Sequence, residues 1–342
     1  MADAQSPGGY RPPLPDTADL IEWPESFGTR FAIFVDTEEE FDWNAPLSRE
    51  GHGTSAVAAL PDAHRRFADR GIPITYLVDY PVVSDPWAAE VLRGIVADGR
   101  SAIGTQLHAW VNPPFVEEVT PANSFAGNLP EAVEAAKLDA LTAAITAAFG
   151  QAPRAFRAGR YGIGPTTLRL LAERGYALDS SMRARYDYSA EGGPDFSGVG
   201  NHGFRAGAMI ELPLTTVFTG ALRASGPALY RTLGTVPKAR GVFARLGLLS
   251  RVALTPEDMP VGDAIEAIAV AAGEGVRVLN FSFHSPSVAP GKTPYVRDAA
   301  DLAAFHGWWD RVIAALERRG IAPVSSDEII AAAGLPPSAP IR

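Results

Sequence analysis

Apolar runs that end in polar or charged residues recur along the chain. In "FAIFVDTEEEFDW", residues 31–43, five apolar residues lead into Asp36 and, after Thr37, three glutamates. A continuous apolar run is typical of a strand covered on both faces, as in the parallel sheets of α/β proteins. Such sheets carry functional groups at the carboxyl ends of their strands, so these acids are candidates for chemistry. The alternative is a solvated turn, because a run of charges most often lies at the surface.

Segments with a helical period alternate with the apolar runs. The longest, residues 130–150, has proline at its first turn and glycine at its end, an asymmetry typical of helices. Alternation of strands and helices implies parallel pairing, and about seven strands predict an α/β fold, a distorted or incomplete (β/α)7 barrel. The other predicted helices are 55–70, 86–99, 165–176, 263–275 and 298–319. The other predicted strands lie in 72–80, 101–110, 154–164, 177–182, 208–215, 276–286 and 321–326.

The chain shows no internal repeat and no clear interdomain linker. We therefore predict one barrel domain over residues 30–335, preceded by a proline- and glycine-rich arm at 1–29 and followed by a tail at 336–342. Residues 218–262 are rich in glycine, proline and arginine and are predicted to be an insertion with helical pieces. The polar connection at 112–128 is long for a plain connector, and such loops often form a wall of the substrate site.

Composition narrows the classes of function. The 342 residues are 46% apolar and 20% charged, as in an ordinary soluble globular protein, and the net charge of −9 argues against binding to nucleic acid or an anionic membrane. The absence of cysteine leaves oxygen and imidazole as the ligands for any metal. No signal-peptide pattern and no apolar run long enough to span a bilayer is present, so we expect a cytoplasmic protein.

The predicted strands end in residues capable of acid–base or metal chemistry. In a parallel barrel these ends meet on one face, so residues distant in sequence can line one pocket. Residues i and i+2 of a strand project to the same side, so Asp36 and Glu38 are expected to face that pocket, with Glu39 and Glu40 solvated. Taken singly, each histidine is more often satisfied structurally than functional. The strand-end residues are Asp36, Glu38, Gln106, His108, Arg157, Arg160, Asp179, Glu211, Ser282, His284 and Ser285.

The order of these motifs carries a resemblance to a known family. The carboxylate pair is followed by "IGxxxH", "FRAGRYG", "DSS", "IELP" and "FSFHSP". This order resembles the polysaccharide deacetylase superfamily, also called the NodB-homology or carbohydrate esterase family 4 fold, and is closest to its WalW-like branch. The likeness covers roughly residues 30 to 330, and its strongest stretches are "AGRYGIGP" and "FSFHSPS". It implies a barrel of the NodB-homology type.

The resemblance implies a role for each catalytic candidate. Asp36 matches the general base, and Arg157 matches the arginine that pairs with that base. His284 matches the general acid that protonates the leaving amine. Asp179 matches the aspartate that orients or tunes this histidine. Glu38 matches the carboxylate ligand of a divalent metal, zinc in the first place, with cobalt, nickel or manganese as alternatives.

The chain departs from the family at its second motif, which usually supplies two histidines spaced H-x-x-x-H. Gln106 stands at the first histidine position and Trp110 at the second, with His108 between them. The implied metal site is therefore Glu38, His108 and Gln106, although an amide oxygen is a weak ligand. Arg160 could contact an anionic substrate. Tyr161, Trp110 and Glu211 complete the predicted substrate contacts.

The function implied is a metal-dependent hydrolase that removes an N-acetyl or other acyl group from an amino sugar or related saccharide. One alternative is hydrolysis of another non-peptide C–N bond in a small metabolite, which the same superfamily scaffold supports. A second is a non-catalytic carbohydrate-binding relative whose metal site is weakened by Gln106. The expected partner is a carbohydrate or another N-acylated small molecule.

Overall fold

The structure is a computed structural model that describes residues 9–334. The predicted tail at 336–342 and the first eight residues of the arm lie outside this range. The strands are β1 (Arg30–Thr37), β2 (Thr75–Val78), β3 (Ala102–Leu107), β4 (Ala155–Ala158), β5 (Leu178–Asp179), β6 (Phe204–Ala206), β7 (Met209–Glu211), β8 (Thr216–Thr219), β9 (Ser250–Ala253), β10 (Val278–His284) and β11 (Ala322–Pro323). The helices are α1 (Leu60–Ala68), α2 (Tyr80–Ser84), α3 (Pro86–Val96), α4 (Glu131–Phe149), α5 (Thr167–Glu173), α6 (Gly226–Leu233), α7 (Ala239–Arg245), α8 (Val261–Gly273), α9 (Ala299–Glu317) and α10 (Ser326–Ala332).

The main sheet is a barrel that does not close. Its strand order is β10-β1-β2-β3-β4-β5-β7-β6, with β11 beside β1. All of its pairs are parallel except β6 with β7. Parallel strands leave their carboxyl ends on one edge, which is where α/β folds place their sites. The predicted incomplete barrel of parallel strands is confirmed.

Both faces of the sheet are buried, as the continuous apolar run of β1 predicts. Phe31, Ile33 and Val35 belong to the outer core, where the helices pack. Ala32 and Phe34 point to the other face and belong to a smaller inner core. This period of two follows from the pleat of a strand, in which successive side chains point to opposite faces. The same alternation decides which polar residues reach the cavity.

The register of the strands brings distant residues side by side. Asp36 at the end of β1 is level with His284 at the end of β10. Gln106 on β3 is level with Arg157 on β4. Neighbouring residues in register point to the same face of a sheet, so these four side chains can share one space.

A small antiparallel ribbon, β8 with β9, extends from the barrel, with α6 and α7 between its strands. The predicted insertion at 218–262 therefore begins within β8 and includes all of β9. After β9 the chain runs beside β10, because the Ser282 amide donates to the Leu254 carbonyl at 3.1 Å. This path brings the segment after residue 254 to the carboxyl end of β10.

The described part of the arm lies against the barrel. The Ile21 amide donates to the Gly203 carbonyl, and the Asp195 amide donates to the Tyr10 carbonyl. Arg11 forms an ion pair with Asp195 at 2.8 Å. Within residues 9–334, no helix has the length and apolarity that crossing a membrane requires.

Candidate active site

A cavity of about 570 Å³ lies at the carboxyl ends of the barrel strands. Its volume falls in the range typical of small-molecule sites. The sequence-predicted residues that line it are Asp36, Glu38, Gln106, His108, Trp110, Arg157, Arg160, Tyr161 and His284. Asp179 and Glu211 are fully buried and do not line it.

Asp36 is held by a buried arginine. Arg157 donates from Nη1 to Asp36 Oδ1, and its other nitrogens donate to the Ser180 carbonyl at 2.8 Å and the Ser180 hydroxyl at 3.1 Å. A guanidinium fixed at three points has no freedom to turn away from its carboxylate. The second oxygen of Asp36, Oδ2, lies 3.8 Å from His284 Nε2. The ion pair therefore leaves one carboxylate oxygen facing the imidazole.

His284 is oriented by Glu257. Its Nδ1 lies 2.7 Å from Glu257 Oε2, and its backbone amide donates to Glu257 Oε1 at 3.0 Å. Burial alone would lower the pKa of His284, but the carboxylates of Glu257 and Glu38 outweigh it and raise the pKa to about 10. Burial alone would raise the pKa of Glu257, but the charge of His284 and the hydrogen bonds it receives lower it. The imidazole is therefore a cation at neutral pH.

The expected contact between Asp179 and His284 is not formed, and Glu257 takes that place. Asp179 follows Leu178, which points into the inner core, so the pleat directs Asp179 to the opposite face of the sheet. There its Oδ1 accepts a hydrogen bond from the Ser181 hydroxyl at 2.5 Å. Glu211 is level with Asp179 and is likewise turned away from the cavity, so the predicted substrate contact through Glu211 is wrong.

Asp179 and Glu211 form a buried acid pair behind the site. Burial raises the pKa of Asp179 above its ordinary value. Burial and the charge of Asp179 raise the pKa of Glu211 well above its ordinary value. The Met182 amide donates to Glu211 Oε1 at 3.1 Å, so this pair braces the chain that follows β5.

Glu38 lies in the cavity beside Gln106 and His108. Its Oε2 accepts from Gln106 Nε2 at 3.2 Å and lies 3.4 Å from His108 Nε2. Burial raises the pKa of Glu38 to about 8, although the two nearby histidines oppose the shift. Within the described residues, Glu38 Oε1 and Gln106 Oε1 are buried and have no hydrogen-bond partner. Buried polar atoms normally have partners, so two such acceptors on residues that contact each other indicate a site for a cation or a donor.

Glu39 is buried, whereas the sequence predicted that it would be solvated. Its Oε2 lies 2.7 Å from His108 Nδ1, its Oε1 accepts from Trp110 Nε1 at 3.1 Å, and its amide donates to Asp79 Oδ2 at 2.6 Å. Burial raises the pKa of Glu39 to about 7. Burial and the charge of Glu39 raise the pKa of Asp79 well above its ordinary value. Glu40, half-buried, pairs with Lys292 instead.

Two sets of ligands meet at His108. Glu39, Asp79 and His108 have ligand atoms within 4.8 Å of one another and could hold a metal ion. In the other set, Glu38 and Gln106 line the cavity together with His108, and each has one buried oxygen without a hydrogen-bond partner among the described residues. Donor atoms on a tetrahedral zinc with bonds of about 2 Å lie about 3.3 Å apart, close to the separation of His108 Nε2 and Glu38 Oε2. The residues present therefore fit a divalent ion.

The turn after β4 shows why its motif needs glycine. A methyl group at Gly159 would lie 2.3 Å from Cδ2 of His108, so any larger residue would displace the imidazole. The next two residues, Arg160 and Tyr161, both have left-handed backbone conformations, with φ of 53° and 61°. Such strain is concentrated at functional sites, where the surrounding structure holds it. Arg160 is neutralised by an ion pair with Glu191.

Sequence reasoning missed Glu257, Glu39, Asp79 and Arg183, of which only Arg183 lines the cavity. Asp79 follows directly after β2, so the rule that selected the other strand ends could have found it. Glu257 lies in "TPEDMP", within the predicted insertion, and no local pattern connects it with His284.

Two solved structures share this fold over nearly the whole chain. A protein from Mycobacterium smegmatis assigned to the polysaccharide deacetylases is 18% identical, with 96% of this chain and 98% of that chain covered and a TM-score of 0.55. The Puue allantoinase is 15% identical, with 91% of each chain covered and a TM-score of 0.52. No protein-family model matches the sequence, and no curated protein matches it significantly. The chain thus has the polysaccharide deacetylase fold, as predicted, while its place in the WalW-like branch stays a prediction.

Proposed function

We propose that the chain is a hydrolase that cleaves an amide-type C–N bond and removes an acyl group, acetyl above all, from the nitrogen of an amino sugar or related compound. One observation carries the proposal. Asp36, fixed by Arg157, and His284, fixed by Glu257, face each other across 3.8 Å in one cavity. A base and an acid held this close are what hydrolysis of an amide requires.

Asp36 is assigned the role of general base. Its Oδ1 is engaged by Arg157, and Oδ2 remains available to take a proton from a water molecule. The carboxyl oxygens of a buried aspartate are otherwise costly to keep charged, and the guanidinium offsets that cost.

His284 is assigned the role of general acid. Because its pKa is raised to about 10, the imidazole carries a proton at neutral pH. Glu257 occupies Nδ1, so Nε2 is the atom that can give a proton to the departing nitrogen. One C–N bond breaks and one C–O bond forms, and the products are a carboxylate and an amine.

Glu38, Gln106 and His108 would hold a divalent ion, with zinc first and cobalt, nickel or manganese as alternatives. Such an ion supplies Lewis acidity to the acyl carbonyl and makes a bound water more acidic. Glu39 Oε2 lies 2.7 Å from His108 Nδ1 and occupies that nitrogen, so Nε2 is the nitrogen left to coordinate. We place the ion on this side of His108 because Glu38 and Gln106 line the cavity, whereas Glu39 and Asp79 do not.

The test is acetate release from a panel of N-acetylated amino sugars, sugar phosphates and acidic sugars, measured with and without a chelator. We expect release by the wild type, loss with chelator, and recovery when a divalent metal is restored. Asp36→Asn serves as the matched inactive control. Absence of acetate release from the whole panel, with metal supplied, would refute the deacetylase.

A second candidate is hydrolysis of another C–N bond in a small metabolite. The Puue allantoinase has the same fold over 91% of this chain, and the name of that enzyme denotes a substrate that is not a saccharide. Ring opening of cyclic amides, and ammonia or amine release from acyclic amides, distinguish this candidate from deacetylation. Activity on such amides without acetate release would favour it.

A further inference from the structure

Arg183 lines the cavity together with Tyr161 and Tyr188. The segment that carries it follows β5, and Arg183 forms an isolated bridge with Leu214. This contact fixes the backbone of Arg183 at the carboxyl edge of the sheet. The side chain therefore belongs to the same space as Asp36 and His284, although it takes no part in the proton transfers assigned to them.

The Arg183 guanidinium is surrounded by tyrosines. Its Cζ lies 3.9 Å from the centroid of the Tyr186 ring and 5.4 Å from that of Tyr161. Its Nη1 donates to the Tyr188 hydroxyl at 3.4 Å. Its Nε is buried and has no hydrogen-bond acceptor among the described residues. Aromatic faces stabilise the cation and fix its plane, but they leave its donors largely unused.

The other two cavity arginines have carboxylate partners. Arg157 pairs with Asp36, and Arg160 pairs with Glu191. Within residues 9–334, no carboxylate forms an ion pair with Arg183, and its partners are the rings of Tyr186 and Tyr161 and the hydroxyl of Tyr188. A partly buried guanidinium with unused donors is unfavourable unless an anion completes it.

We propose that Arg183 binds an anionic oxygen group of the substrate, a carboxylate or a phosphate. The inference rests on the proposed function in one respect, that the ligand enters the same cavity. The planar fork of a guanidinium matches both groups with two parallel hydrogen bonds. The Tyr188 hydroxyl accepts from Arg183, so its own proton is free to donate to the same anion.

An anion contact at Arg183 narrows the proposed substrates to acidic N-acyl compounds. An acidic N-acyl compound small enough for a cavity of about 570 Å³ fits the site better than a neutral polymer. Such compounds include N-acylated sugar phosphates and N-acylated sugars that carry a carboxylate. In either case the anion and the scissile amide lie in one molecule, so Arg183 also orients the amide towards Asp36.

The experiment measures binding, because binding does not depend on turnover. Calorimetry on the His284→Asn protein, in which Asp36 still neutralises Arg157, compares N-acetylglucosamine, its 6-phosphate and N-acetylmuramic acid as neutral, phosphate and carboxylate probes. We expect at least one anionic probe to bind about tenfold or more tighter than the neutral one, and Arg183→Met to abolish that preference. The preferred probe identifies which anion the site takes.

Arg251→Met is the matched control. Arg251 also stacks on Tyr186, at 3.5 Å, but it does not line the cavity. We expect it to leave the preference for the anionic probe within about twofold of the parent protein. A loss of preference equal to that of Arg183→Met would attribute the effect to the tyrosines and overturn the proposal.

Arg183→Lys keeps the charge without the fork and covers the case in which Arg183→Met does not fold. We expect it to retain part of the anion preference, and the preference of the parent protein to weaken as ionic strength rises. Equal affinity for neutral and anionic probes in the parent protein would refute the inference. Anion-selective binding with no hydrolysis of any probe would support the inference while refuting the proposed function.

Discussion

Two histidines that line the cavity are each paired with a glutamate, in the same geometry but in different surroundings. In each, a glutamate oxygen lies 2.7 Å from Nδ1, in His284 with Glu257 and in His108 with Glu39. In each, Nε2 faces a further carboxylate, Asp36 at 3.8 Å or Glu38 at 3.4 Å. Pair geometry alone therefore does not decide what the imidazole does.

The neighbours of the glutamates make the difference. Glu257 is surrounded by donors, since the His284 amide and the Ser287 hydroxyl both donate to it, and its pKa is lowered despite burial. Burial raises the pKa of Glu39 to about 7, and a second acid, Asp79, lies beside it. A fully charged glutamate favours an imidazolium, which can act as an acid. A glutamate that holds Nδ1 of a second imidazole leaves its Nε2 in position to act as a ligand.

The largest effect on activity is expected for His284→Asn. Removal of the general acid should lower kcat by about 10²–10⁴, because the leaving nitrogen departs without a proton. Bound metal, measured by elemental analysis, should stay at the wild-type level, since the other pair supplies the ligand. Activity within tenfold of wild type, or a parallel loss of metal, would contradict the division of roles.

The second effect concerns metal affinity and separates the two ligand sets. Glu39→Gln should weaken metal binding about 10–100-fold, as expected for a residue that orients a ligand, and excess metal should restore activity. Asp79→Asn should do no more than this if Asp79 acts through Glu39. A complete loss of metal in Asp79→Asn, measured by competition with a chromophoric chelator, would instead place the ion between Glu39 and Asp79.

The third prediction concerns pH. The pKa of His284 is raised to about 10, so activity that needs its proton should fall as the pH rises through about 10. In Glu257→Gln the main charge that raises this pKa is absent, and the alkaline limb of kcat/KM should move down by at least about one pH unit. If the alkaline limb of kcat/KM does not move in Glu257→Gln, a group other than His284 controls that limb.

The raised pKa of His284 also makes the free energy of unfolding depend on pH. Because protonated His284 is favoured in the folded state, its contribution to stability is complete below the unfolded pKa of about 6.5 and is lost as the pH rises through about 10. Urea unfolding of wild type and Glu257→Gln across this range measures the difference. If the difference in free energy of unfolding between the two proteins does not change with pH, His284 and Glu257 do not form a charged pair.

The smallest effect is expected for Glu211→Gln, which replaces one member of the buried acid pair with its neutral isostere. The raised pKa of Glu211 means that stability is present at low pH and falls as the pH rises through the folded pKa. The variant should remove this loss, on the order of 1 kcal/mol, and leave activity unchanged because Glu211 does not line the cavity. Unfolding at pH 6 and pH 9 is the measurement, and equal slopes for the two proteins would exclude the effect.

The sequence predicted the barrel and the meeting of distant strand ends well, because both follow from strand periodicity and parallel pairing. Asp36 is level with His284, and Gln106 is level with Arg157. These positions were predictable because parallel strands bring their carboxyl ends to one edge.

The errors arose where periodicity stops or its phase was ignored. Asp179 and Glu211 end their strands but point to the outer face, which only the phase set by Leu178 and Ile210 reveals. Glu39 and Glu257 lie beyond strand ends, where the path of a loop rather than a repeating pattern sets the side-chain direction. Their contacts depend on tertiary structure, and a single sequence carries no local signal for them.

The β8–β9 ribbon connects the surroundings of His284 to a part of the chain outside the barrel. Glu257 lies in the segment that leaves this ribbon, while the imidazole it charges belongs to the barrel itself. Changes in the length or packing of the ribbon would shift that carboxylate by fractions of an ångström and alter proton affinity at His284, with every barrel strand left in place. The proton affinity of His284 thus depends on a segment that belongs to no strand of the barrel.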